Sequence, residues 1–482
     1  MNPPAFRIRT IVTNFGWLAA GESVAKLCSF AAFAYIAGIL GPSGIGLVEY
    51  VIAILFVMTL IIDFGFDLYG AREIAKDRTI IGGITHRVIG TRVWLTLLSV
   101  IVVTIAALST DRMDLRWLLI LFGLSLLPAP LLLHWVFKGC DLMHVVSVAQ
   151  VLRYGTFAIV VFATIRDGTH VWLVPIAEIA GVLVAAAFTV IAYRRFFGSY
   201  PSVTSLWPDR RLIGESLTIG ASQFMWAARY VFVTVLLWPI ATEEEVGLFG
   251  IALRIVVAMH MFVSLYISNL LPTVSRSTNA PRPMLRSLLS SAMRASSWIS
   301  IPLCIVAVLC ARPLITAVYG PAFDRSVGVL QILVWMLATA LLSAHHRVTL
   351  IAYGRQKLEL LSTGTGAVLN IILIFVLYRP YGILGVAAAM LIGELVTLLL
   401  AYGFVEHQVT ATRTWRALWP PTGVAMTATL AAYAVSDHHL WLQIGVAISM
   451  LCVGFLVLER RFIAEVAAQL VTPKLRNHRP VR

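Results

Sequence analysis

Runs of roughly 17–28 apolar residues recur along the whole chain, each long enough for a helix to cross a hydrocarbon core of about 30 Å. They lie near 12–39, 47–70, 93–109, 117–137, 154–165, 171–193, 215–240, 247–270, 292–317, 328–351, 359–378, 382–402, 417–436 and 440–458, fourteen in all, the fifth reaching back toward Val145. Backbone polar groups in lipid must be satisfied within the segment, so the spanning elements are expected to be helices. Composition agrees. Hydrophobic residues make up 59% of the 482 residues and charged ones 12%, about half the share of a soluble domain. A water-soluble fold could not cover its surface with so little charge. The expected class is an all-α polytopic membrane protein. The short basic stretch "MNPPAFRIRT" precedes a first run too long for a signal-peptide core, which predicts a retained first helix.

The net charge of +14 is distributed by side. Of 37 Lys and Arg, 27 fall in one alternating set of connections and the two ends, from Arg7 and Arg9 through Arg72–Arg92 to Arg460–Arg482. Only five, Arg112, Arg116, Arg166, Arg325 and Arg379, fall in the other set. By the positive-inside bias this predicts that both termini are cytoplasmic and that the helix count is even. The basic charge is then a topology signal that faces anionic membrane lipid, and nucleic acid is not implied.

The connections also exclude functions. The longest, near 71–92, 194–214 and 271–294, are about 20 residues and cytoplasmic, leaving no room for a nucleotide-binding fold. The loops on the other side, such as "STDRMDLR" and "RDGTH", are too short to present the catalytic groups of a membrane polymerase or ligase. Five cysteines, four of them (Cys28, Cys304, Cys310, Cys452) in apolar runs, form no pairing framework. The doublets His345-His346 and His438-His439 are adjacent, so they do not converge on one helix face. No catalytic residue, metal site or cofactor is expected.

The chain repeats its punctuation. "LGPSGIGLVEY" at 40–50 returns as "TEEEVGLFGIALRI" at 242–255, and aligning Gly46 with Gly247 sets an offset of 201. Around each, a long apolar run is followed by a short outer turn, a Gly-Leu pair, another run and a basic loop. Six runs precede residue 214 and six follow to about 402. An even number per unit gives both units the same orientation, as in parallel repeats related by an axis along the membrane normal. The expected organisation is a six-helix lobe over 1–214, a second over 215–411, and two further helices with a basic tail over 412–482.

Charges inside the runs are the candidate functional residues, because an unpaired charge at the bilayer centre costs about 2.5–3.5 kcal/mol even on the lenient scale. Glu22 and Lys26 lie i,i+4 on the first run and can neutralise each other; Asp63 and Asp67 lie i,i+4 near the cytoplasmic end of the second and can be solvated or bind Arg72. Arg347 and Arg312 sit near helix ends, where they can snorkel. Arg229 is different: it lies mid-run in "ASQFMWAARYVFVTVLL", below Gln223 and Trp226 and with no carboxylate in helical reach. Arg254 enters the next run in a similar way. Lys26, Arg229 and Arg254 suit an anionic, phosphate-bearing substrate, since Arg offers a bidentate fork and Lys a compact charge. Glu49, Glu178, Glu394 and Asp63 are the candidate charge partners or ion-coupling carboxylates.

With these residues in view, the chain resembles the Wzx-type polysaccharide biosynthesis flippases of the multidrug/oligosaccharidyl-lipid/polysaccharide (MOP) exporter superfamily. The resemblance spans essentially the whole chain and rests on "FAYIAGILGPSGIGLVEYVIAI", "DFGFDLYGAREIAKDR", "EEEVGLFGIALRI", "VYGPAFDRSVGVLQIL", "LIAYGRQK" and "YRPYGILGVAAAMLIGELV", in the family's order. It implies a fourteen-helix, two-lobed transporter of the bacterial inner membrane, not an enzyme. The implied cargo is an undecaprenyl-pyrophosphate-linked oligosaccharide, moved from the cytoplasmic to the periplasmic leaflet by alternating access, beside the polysaccharide polymerase machinery. Cavity cations engaging the pyrophosphate carry over to Lys26, Arg229 and Arg254. Glu49 departs from the uncharged residue such a protein is expected to hold there. A multidrug antiporter or a peptidoglycan-precursor flippase of the same superfamily is the alternative.

Overall fold

Two glycines set the architecture of the longest helical stretches. In the computed structural model the first helix, α1 (Ile8–Asp63), bends at Gly41, whose φ of 67° and ψ of −178° lie outside helical space and suit only a residue without a side chain. Pro42 follows and removes a helical N–H, so the turn predicted at "LGPSG" is a sharp kink between two helical halves. The same device recurs at Gly382 (φ 56°, ψ −141°), two residues after Pro380, inside a 53-residue stretch. The described residues are 8–201, 208–279, 281–409, 418–435 and 440–460.

After α1 come α2 (Phe66–Lys76), α3 (Ile81–Leu108), α4 (Met113–Leu124), α5 (His134–Gly139), α6 (Met143–Thr164), α7 (Leu173–Phe197), α8 (Arg210–Tyr230) and α9 (Phe232–Leu237). The remainder are α10 (Glu243–Arg276), α11 (Arg282–Tyr319), α12 (Ser326–Leu333), α13 (Trp335–Ala352), α14 (Gln356–Gln408), α15 (Trp419–Ala434) and α16 (Leu440–Leu458). Nine helical stretches among the described residues are long and apolar enough to cross a membrane. The protein is therefore an all-helical, multi-pass membrane protein. Large apolar side chains such as Ile101, Leu108, Ile159 and Leu399 are exposed, the surface that a lipid solvent permits.

Several helices run past the apolar stretches that announce them. α3 begins twelve residues before the third run, so Arg92, which the sequence places in a basic connection, is helical and buried. The seventh run, expected as one helix over 215–240, is broken at Val231 into α8 and α9. Arg7, Arg413, Arg416, the basic tail beyond residue 460, both chain ends and His438-His439 lie outside the described residues.

The chain packs into two compact units, Met1–Ile251 with Thr316–Arg325, and Ala252–Ile315 with Ser326–Arg482. In the first, α1 lies along α6, and α6 along α7. A cluster of Phe66, Trp135, Phe137, Tyr193 and Leu212 fills the end nearest the basic connections. In the second, the two halves of α14 approach so closely that a Cβ on Gly393 would stand 2.7 Å from the Gly366 carbonyl oxygen, the small-residue packing typical of membrane helices. The Glu459 carboxylate, just after α16, accepts hydrogen bonds from Trp298 Nε1 at 2.9 Å and from Arg294 at 3.4 Å, tying the last hairpin to α11.

Within the first unit the 201-residue offset reappears as a contact. A Cβ built on Gly46 would collide with the Glu243 carbonyl and stand 3.0 Å from Gly247 N; one on Gly247 would collide with the Pro42 carbonyl and stand 2.9 Å from Gly46 N. Pro42 and Glu243 are themselves 201 apart, so the contact is reciprocal. One turn along, Gly250 makes room for its counterpart Glu49, whose Cγ would lie 2.8 Å from an added Cβ.

Candidate functional site

The helix α8 is unusually polar for a segment that follows a run of membrane length. Its sequence RRLIGESLTIGASQFMWAARY carries Glu215, Ser216, Thr218, Ser222 and Gln223 where neighbouring spans carry Leu and Val, and it is not among the nine apolar candidates. A polar face at membrane depth belongs against protein or water, not lipid. Asp209 starts the helix: its carboxylate accepts from Arg211 N at 3.0 Å and Leu212 N at 3.1 Å, and from Arg87 Nε of α3 at 2.5 Å. The Arg87 guanidinium holds the Asp209 carboxyl below the usual carboxylate range.

Arg229 occupies the last turn of α8, one residue before Tyr230 and two before the break at Val231. A cation there faces the negative end of the helix dipole, and the break interrupts the span just where the guanidinium is held. The side chain is 6% exposed and lies over the Tyr230 ring at 5.6 Å. Tyr230 stacks on Trp226 at 5.3 Å, and Trp226 meets Phe56 of α1 at 6.0 Å. An arginine and aromatic rings thus gather at a discontinuous helix, a composition suited to an anionic group joined to a sugar.

The other candidates separate by environment. Lys26 lies 3.9 Å from Glu22 and is half-exposed, so the i,i+4 pair forms. Glu178 is taken by Arg153 of α6 at 2.7 Å. Asp63 and Asp67 flank a helix break in which Phe64 (φ 44°) and Gly65 (φ 83°) are left-handed. Both carboxylates grip Arg92, Asp67 at 2.7 Å, while Arg72 goes to Glu73 at 2.9 Å. Lys138 lies 3.9 Å from Asp67 and balances the charge. Glu49, 8% exposed, sits against Gly250 in the first unit. Arg254 and Glu394 belong to the second unit, on α10 and α14, the arginine half-buried and the carboxylate 2% exposed.

Two polar groups were not legible as sites. In the second unit, His345 Nε2 lies 2.7 Å from the Tyr266 hydroxyl and 3.5 Å from Ser296 Oγ, while His346 meets the Tyr402 ring. The doublet thus serves two different helix contacts. In the first unit, Arg112 and Arg325 turn to the acidic triplet Glu243–Glu245. Their signal in the sequence was a scarcity: they are two of only five basic residues on the side that the charge bias leaves poor. Among the described residues no group of three His, Cys, Asp or Glu could hold a metal ion.

Comparison with known proteins meets this arrangement from three directions. The family model described as "Polysaccharide biosynthesis protein" matches residues 11–278. A relative named "Putative O-antigen transporter" from Escherichia coli (strain K12) is 21% identical over 404 residues, covering 82% of this chain and 96% of its own. Among solved structures, lipid II flippase MurJ in an inward closed conformation superposes with a TM-score of 0.70 at 15% identity, covering 92% of this chain and 99% of that one. A multidrug resistance MATE family transporter of the MOP superfamily gives 0.66 at 17% identity, covering 81% and 95%. These relatives are transporters and flippases, not enzymes, and the structural likeness fixes the fold that α1–α16 adopt. A family match over more than half of its length, on a fold shared with the solved MurJ and MATE structures, leads to one assignment: this chain belongs to the polysaccharide biosynthesis protein family.

Proposed function

We propose that the protein is a flippase that carries an undecaprenyl-pyrophosphate-linked oligosaccharide from the cytoplasmic to the periplasmic leaflet of the bacterial inner membrane. The observation that carries this reading is Arg229, a nearly buried guanidinium at a break in a polar helix. Discontinuous membrane helices are where transporters hold substrate, and Arg matches the paired oxygens of a pyrophosphate. Trp226 and Tyr230 provide rings beside it. Arg254 and Lys26 are proposed as further cations for the same head group, and Glu49 and Glu394 as the carboxylates that couple an ion or balance these cations. Asp63 and Glu178 are better accounted for as structural partners of Arg92 and Arg153. The sugar head crosses in a cationic, water-filled space while the polyprenyl tail stays in lipid, and the polysaccharide polymerase machinery receives the product.

The proposed frame is fourteen spans in two six-helix lobes, 1–214 and 215–411, plus a hairpin in 412–482, with both ends in the cytoplasm. Splitting α1 at Gly41 and α14 at Gly382 supports that count. The reciprocal Gly46–Gly247 contact supports parallel repeats, because residues equivalent under a two-fold axis can touch one another only near that axis.

Transfer of a labelled lipid-pyrophosphate oligosaccharide across liposomes that contain only this protein is the decisive measurement. Transfer that Arg229→Ala abolishes supports the reading; export of a cationic dye in place of the lipid would move the assignment to a multidrug antiporter.

A further inference from the structure

We propose that the acidic triplet at the start of α10 is an ionic latch that holds the outer ends of the two repeats together, closed between transport events. "Outer" here is the side that the Lys and Arg distribution leaves poor in basic residues, and the inference rests on the alternating-access reading above.

A triplet of glutamates at a helix start has an ordinary explanation, and one of the three follows it. Thr242 and Glu245 form a reciprocal cap, with Glu245 N donating to Thr242 Oγ1 at 3.3 Å and Thr242 N to the Glu245 carboxylate at 3.2 Å. Glu243 and Glu244 do something else. Arg112, between the third and fourth predicted spans, is fixed by Asp114 at 2.5 Å and pairs with Glu243. Arg325, between the ninth and tenth, reaches Glu244 at 3.3 Å and, more loosely, the capping Glu245 at 3.8 Å. One acidic turn thus takes an arginine from the outer connection of each repeat.

Three further observations make this turn a latch. The outer turn of the second repeat before Ile251 and its outer connection Thr316–Arg325 both pack within the first compact unit, together with the span that runs from 215 to that turn. The segment bearing Arg325 is anchored by Tyr319 against Phe30 of α1 at 6.0 Å. Beneath the pairs, Gly46 and Gly247 leave the two turns in backbone contact, with Ile45 pressed against Gly247. That contact is shape without covalent or charged fixation, so the arginine–glutamate pairs supply the adjustable part. They border a cavity of about 540 Å³ lined by Ser43, Thr110, Arg112, Trp238, Glu243 and Glu244. Solvent screens them there, so each pair is weak enough to break in a transport cycle.

The test uses the full chain with its five cysteines replaced and with Ile45→Cys, a position 1% exposed, as the reporter. Labelling by a membrane-impermeant maleimide from outside reads how often the two turns part. Glu243→Gln with Glu244→Gln, which spares the Glu245 cap, is expected to raise the labelling rate roughly three- to twenty-fold. Roughly 0.5 M salt is expected to bring the parent toward the variant. Arg112→Glu alone raises the rate, and Arg112→Glu with Glu243→Arg returns it toward the parent. Unchanged labelling in the double glutamine variant overturns the latch, and so does a charge swap that fails to restore protection while keeping the parental melting temperature. Labelling needs no substrate, so a failed lipid-transfer assay would sink the flippase reading without touching this result.

Discussion

Two nearly buried arginines of the first unit show how one residue type takes two roles. Arg92, 4% exposed, sits between Asp63 and Asp67 with Lys138 nearby, a locally neutral group that ties α1, α2, α3 and α5. Removing the guanidinium leaves two poorly solvated carboxylates side by side. Arg92→Ala is expected to destabilise the protein by about 3 kcal/mol, read as a lowered melting temperature in detergent. Arg229→Ala should reduce polymer export by at least about tenfold; Arg229→Lys should recover part of it, since a point charge lacks the bidentate fork. Full export by Arg229→Ala would remove that residue from the substrate site. Asp209 gives a pH signature. Its folded carboxyl is held below the unfolded value by Arg87, so its contribution is complete above the ordinary carboxylate range and is lost as pH falls through the folded value. Asp209→Asn should therefore flatten the acid side of the melting-temperature profile. The sequence displayed all these charges but not their pairings: Asp67 could be matched to Arg72 by nearness in the chain, whereas Arg92 reaches it only through the fold.

At the level of single helices, apolar length and Gly-Pro punctuation were legible because they act locally. The kinks at Gly41 and Gly382 fall where those residues announce a turn. The break at Val231 was not legible. It lies in Tyr-Val-Phe, with no glycine or proline, and is a tertiary outcome. Helix ends were misplaced for a related reason: apolarity marks the part of a helix in lipid, while α3 continues as an amphipathic helix into the cluster around Trp135. The Gly46–Gly247 contact yields a prediction with a built-in control. Gly46→Ala and Gly247→Ala each drive a methyl into a carbonyl of the partner turn and are expected to cost about 1–3 kcal/mol each, equal within error. Clearly unequal losses in melting experiments would argue against equivalence of the two turns.

Across the whole molecule, the number and sidedness of spans can be checked without any substrate. Reporter fusions within 241–246 should report the periplasm and fusions within 276–290 the cytoplasm; the reverse would sink the proposed topology. The charge distribution carried that expectation, and the 201-residue echo carried the repeat. Neither could reveal that the packing boundary falls at Ile251, inside α10, since a boundary of contacts depends on which ends of the helices are together.

The glycine pair also constrains how this protein can change. What each glycine faces is a main-chain carbonyl, of Glu243 for one and Pro42 for the other, and a carbonyl is present whatever residue bears it. No side-chain replacement across the contact can therefore accommodate a larger residue at either position. Genetic suppressors of Gly46 or Gly247 variants should then arise at a distance, in residues that let a whole turn shift, and never at the facing position.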